Sequence, residues 1–115
     1  MQKKPGNLRP DRAPAAVVEA VTRAGANIAA ARINRRWRQT DLATKAGVSR
    51  RVILRIEAGH LGVGIGAWVA ALWALGLHHD FSDLASAGRD PEGQTLAATR
   101  QSKRVHPASE LDDEF

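Results

Sequence analysis

The chain has 115 residues, enough for one small domain with tails, and its 43% hydrophobic and 25% charged content is that of an ordinary globular protein. It contains no cysteine, which excludes a disulfide framework and any thiolate metal site and fits a reducing cytoplasm, the expected location. The net charge of +5 is unevenly spread: residues 1–55 hold 13 Lys/Arg against 3 Asp/Glu, and residues 56–115 hold 4 against 9. That division predicts a basic face for a polyanion, with nucleic acid the expected one, and an acidic tail.

Residues 1–13 carry Pro, Gly, Asn and charge with little to bury, and are expected to form a disordered basic arm. The opening "MQKKPGNLRPDRAP" has no apolar core, so no secretory signal is expected. From Pro14 the pattern turns helical. Val17, Val21, Ile28, Ala31 and Trp37 fall at or near helical spacing. They predict one helix to about Arg36, or two broken near Gly25, with Ala26–Arg36 the firmer part.

In "RQTDLATKAGV" Leu42, Ala43 and Ala46 line one face of a short helix, with Asp41 in its first turn where the helix dipole favours an anion. Gly47 is suited to stop it in a left-handed conformation. "SRRVILRIEAG" then opens on Ser49, a good N-cap. Val52, Ile53 and Ile56 make the buried stripe of this third helix, Gly59 ends it, and Arg50, Arg51 and Arg55 stay outside the stripe. A fourth helix is expected at Ile65–Leu75, stopped by Gly76, with Ile65, Trp68, Val69, Leu72 and Leu75 as its core face and Trp73 on a second apolar side. A short fifth helix, roughly Asp80–Ala85, would use Phe81 and Leu84.

Residues 58–79 contain no Asp, Glu, Lys or Arg and so resemble a membrane span in a hydropathy window. Their uninterrupted apolar part covers only about two or three helical turns. A buried helix of a water-facing domain, and no membrane association, is the better reading. Residues 86–115 are expected as a partly disordered acidic tail, with a short helix at Gly93–Arg100 and an extended piece at Lys103–His106. No strand alternation of any length is present.

A short helix, a glycine turn and a capped short helix in succession form a helix-turn-helix. Residues 39–58, within "QTDLATKAGVSRRVILRIEAG", resemble the Xre-type (Cro/repressor) family in its Gln-x-x-Leu-Ala-x-x-x-Gly-Val-Ser stretch, its recognition helix and its Ile-Glu-x-Gly ending. The resemblance extends over Ala26–Leu77. It implies an all-α, five-helix, lambda-repressor-like domain at residues 14–85 that reads the major groove of double-stranded DNA. It also implies a homodimer on a palindromic operator and a role as a transcriptional regulator, expected to be a repressor. Its DNA-binding positions fall on Arg38, Gln39, Ser49, Arg50, Arg51 and Arg55. Arg50 and Arg51 would read bases, Arg55 a base or a phosphate, and Gln39 would contact a phosphate and buttress the recognition helix, with Arg38 adding a cation beside it. Ser49 would contact phosphate or base besides capping. In the same way, the resemblance pairs Arg32 with Glu57 inside the domain. Where the family usually caps with Ser or Thr, this chain has Arg38 before Gln39 and Gly64 before the fourth helix.

Small Xre-type proteins with an added tail also resemble the HipB-like antitoxins of type II toxin–antitoxin operons, which bind a toxin and repress their own promoter. The end "ELDDEF" could fold on such a partner. Catalysis and cofactors are not expected. His60, His78, His79 and His106 match no zinc spacing, "GVGIG" at 62–66 lacks the strand and the Gly-Lys-Ser/Thr of a phosphate loop, and no nucleophile stands beside a base.

Overall fold

Six α-helices and one 3-10 turn account for the regular structure of the computed structural model, which describes residues 9 and 11–103; among these residues there is no strand. Most of the expected arm, residues 104–106 of the expected extended piece, His106 and the "ELDDEF" end lie outside the described residues. The chain divides into two compact units with the boundary after Ser82.

The first unit holds α1 (Ala15–Asn34), α2 (Gln39–Ala46), α3 (Arg50–Glu57), α4 (Ile65–Leu75) and α5 (His78–Ser82). Helix α1 is continuous through Gly25. Its alanine-rich text favours helix at nearly every position, and the glycine weakness is offset by what lies opposite. A Cβ at residue 25 would collide with the carbonyl oxygen of Ile56 and sit 3.2 Å from that of Glu57. Gly25 is therefore where the backbone of α1 crosses the end of α3. Gly59 completes the crossing from the other side: its φ is +76°, and a Cβ there would lie 2.8 Å from Thr22 Cα.

The end of α1 falls two residues earlier than the spacing suggests, at Asn34. Arg36 adopts φ 59°, the left-handed region, and its N–H donates to Ile33 O at 2.8 Å while that of Trp37 donates to Arg32 O at 3.2 Å. These are the bonds that close a helix C-terminus, with arginine where glycine is usual. Trp37 thus lies beyond α1 rather than on it. It packs half-buried against the core, with Lys45 Nζ 4.7 Å from its ring centroid.

Ile28, Leu42, Ala43, Ile53, Ile56, Ala71 and Leu75 form the core, one or two residues from each of α1 to α4. Helix α4 has the expected boundaries but a different rotation. Ala71 and Leu75 are its buried residues, supported by Ala67, Trp68, Leu72 and Ala74, whereas Ile65 is 63% exposed. Val69 is only half-buried. The helix is apolar all round, so periodicity does not fix which side turns inward. The alanine side does, because it lets α2 approach closely: Ala43 on α2 and Ala71 on α4 are both buried. Trp73 is left 58% exposed.

Helix α5 begins two residues before the expected start and ends at Ser82. Ala85 takes φ 58° and Leu84 is 62% exposed, so neither belongs to it; Phe81 is half-buried. In the second unit, a 3-10 turn at Ala87–Arg89 precedes α6 (Pro91–Lys103), longer at both ends than the expected Gly93–Arg100. Its start is encoded in "DPEG". Asp90 Oδ1 accepts the Gly93 N–H at 3.0 Å as an N-cap, and Pro91 fills the first helical position, where no N–H is needed. Lys103, expected to be extended, is the last residue of this helix.

Candidate nucleic-acid interface

Helix α3 owes its placement to a short chain of local devices. Gly47 stops α2 at φ 75°, and the Gly47 and Val48 N–H groups donate to Ala43 O at 2.9 and 3.0 Å. Val48 turns inward against the core. Ser49 then caps α3, its Oγ accepting the Val52 N–H at 3.2 Å. Replacing Ser49 by alanine is expected to lower the unfolding free energy by about 1 kcal/mol, read as a lower urea midpoint; an unchanged midpoint would remove Ser49 as the helix cap.

Ile53 and Ile56 are completely buried and lock the rotation of α3 about its axis. The exposed positions of this eight-residue helix are then Arg50, Arg51, Leu54 and Arg55. Among the described residues, none of these three arginines makes an ion pair. Arg50 and Arg51 occupy the first turn, which holds no acid. A cation there opposes the positive end of the helix dipole at a cost of about 0.3–1 kcal/mol each at low salt. Helix stability therefore does not account for them.

The start of α2 shows how Arg38 can precede a helix without being a cap. Asp41 supplies the missing contact: its Oδ2 accepts the Arg38 backbone N–H at 2.7 Å, and its two oxygens lie 3.4 Å from the Arg38 guanidinium. The backbone N–H and then the guanidinium hold the Asp41 carboxyl below the usual carboxylate range. The Arg38 side chain remains 82% exposed.

Behind this surface, Glu57 gathers three elements. Arg32 Nε and Nη2 donate to its two oxygens at 2.7 and 3.1 Å, and Gln39 Nε2 donates to Oε1 at 3.1 Å. Arg32 Nη1 reaches Trp37 O at 2.7 Å. The pair inferred from family resemblance is thus present, and Gln39 joins it, tying the start of α2 to the end of α3. Arg35, to which the sequence assigns no role, donates to Ala31 O at 2.8 Å and Leu75 O at 3.0 Å, satisfying carbonyls at the ends of α1 and α4.

Of the six expected site residues, Arg50, Arg51 and Arg55 share the outward side of α3, with Ser49 at its start. Arg38 and Gln39 stand at the start of α2. Leu54 was not among the six, although its place one residue after the buried Ile53 already sets it off the apolar stripe. Among the described residues no cluster of three or more metal-ligating side chains forms, and no helix is long and apolar enough to cross a membrane.

Comparison with known proteins agrees with this geometry. The chain matches the family described as Helix-turn-helix over residues 28–80, a span that takes in α2, α3 and α4 entire. No curated protein and no solved structure matches it. Residues 28–80 are thus similar to helix-turn-helix domains of the Xre/Cro type.

Proposed function

We propose that the chain is a sequence-specific repressor that inserts α3 into the major groove of a palindromic operator as a homodimer. The observation that carries this reading is the outward side of α3: three arginines without carboxylate partners among the described residues, two of them at the helix end least suited to cations. Arg50 and Arg51 read base edges, guanine O6 and N7 being the natural acceptors for a bidentate guanidinium. Arg55 holds a base or a phosphate. Arg38, Ser49 and Gln39 meet the sugar-phosphate backbone, Gln39 through the amide N–H not given to Glu57. Support for the dimer comes from Trp73 and Ile65, large apolar side chains left 58% and 63% exposed on α4. Two copies joined there would set two α3 helices against half-sites about one duplex turn apart.

Arg51→Ala is expected to cost about 1–3 kcal/mol on the preferred operator and much less on random duplex, measured by fluorescence anisotropy at one fixed salt concentration. Equal losses on both would leave Arg51 a phosphate contact only, and no loss on either would overturn the orientation of α3 towards DNA.

A further inference from the structure

Leu54 sits in the middle of the arginine surface, 43% exposed. It stands one turn after Arg50 in the same i, i+4 column, three residues after Arg51 and next to Arg55. The other exposed positions of α3 are all arginine. Whatever polyanion those guanidinium groups draw in, Leu54 must enter with them. A leucine carried into the phosphate-lined mouth of a groove gains nothing from phosphate or base acceptors. The major groove offers one distinctive apolar group, the 5-methyl of thymine.

We infer that Leu54 is a specificity-determining residue that packs on a thymine methyl in the operator, an inference that rests on the DNA-reading function proposed above. Leu54 lies four residues from Arg50, about 6 Å along the helix axis, and base pairs rise about 3.4 Å. The thymine therefore lies one or two base pairs from the guanine that Arg50 or Arg51 reads. The acceptor-reading arginines and the methyl-reading leucine together define a short mixed G/T element in each half-site rather than a run of guanines.

The test uses the full chain. Duplexes bound from a random pool give the operator, and each of its thymines is then replaced singly by deoxyuridine, which removes only the methyl group. At one thymine per half-site, binding by the unaltered protein should weaken about four-fold, which is about 0.8 kcal/mol for one buried carbon at 1.4 kcal/mol per tenfold. Leu54→Ala should bind the thymine and deoxyuridine duplexes equally. Circular dichroism checks that this variant keeps its helix content, and the deoxyuridine series on the unaltered protein stands without it. An operator indifferent to every thymine methyl, or a methyl effect that survives in Leu54→Ala, overturns the role of Leu54 alone. A pool that yields no preferred sequence overturns the DNA-reading function, and this inference with it.

Discussion

Glu57→Ala is expected to lower the unfolding free energy by about 3 kcal/mol, the lower end for a broken buried pair, because it strands a largely buried guanidinium. The Arg32 and Glu57 side chains are only 13% and 7% exposed. Their two-pronged contact at 2.7 and 3.1 Å is what makes the burial of Arg32 tolerable. With the carboxylate gone, Arg32 keeps the Trp37 carbonyl but loses its only anionic partner among the described residues, and Gln39 loses its acceptor. For a domain whose whole stability is about 5–15 kcal/mol, that is a large share. Glu57→Gln should cost less, since one amide oxygen still accepts from Arg32. Removing both charges, as Arg32→Met with Glu57→Leu, should recover much of the loss, because no buried charge is then left unpaired. Urea unfolding of the three variants distinguishes these outcomes. A single variant as stable as the unaltered chain would show that the pair is not buried as described.

Ile53→Ala is expected to cost about 2–5 kcal/mol, and Ile53→Val about 0.5–1.5 kcal/mol. Ile53 is fully buried in the cluster that also holds Leu42 and Ile56, so the deleted atoms leave a cavity the rigid crossing of α1 and α3 cannot readily close. Gly25 and Gly59 already place those backbones as near as they can come. The midpoint of urea unfolding should fall with its slope unchanged, as for a loss of packing without a change in the surface exposed. Because Ile53 and Ile56 also set the rotation of α3, Ile53→Ala should weaken the proposed operator binding at temperatures where the variant is still folded. Equal stability of the alanine and valine variants would mean that Ile53 does not fill the space assigned to it.

Where the residues carry their own local signals, the fold was legible in the text. The boundaries of α4 follow from an apolar run closed by Gly76, and the cap of α3 follows from Ser49. The stripe of Ile53 and Ile56 follows from helical spacing, and with it the outward placing of the arginines. The start of α6 is set by Asp90 and Pro91, but among polar residues with no apolar stripe the expected start falls two residues late, at Gly93. Helix α5 misled for the opposite reason: Phe81 and Leu84 have helical spacing, yet the chain turns at Asp83 to Ala85 and leaves Leu84 outside.

By itself, the order of residues determined the helix-turn-helix and its arginine surface, because caps, stops and a two-sided helix are written within one or two turns of chain. Only the tertiary structure decided that α1 runs unbroken through Gly25, that α4 turns its alanines rather than Ile65 inward, and that Gln39 joins Arg32 on Glu57. Each of these depends on what lies across the interface. A glycine is a break or a crossing point according to whether another backbone fills the space beside it. An all-apolar helix takes its rotation from the partner that can come closest.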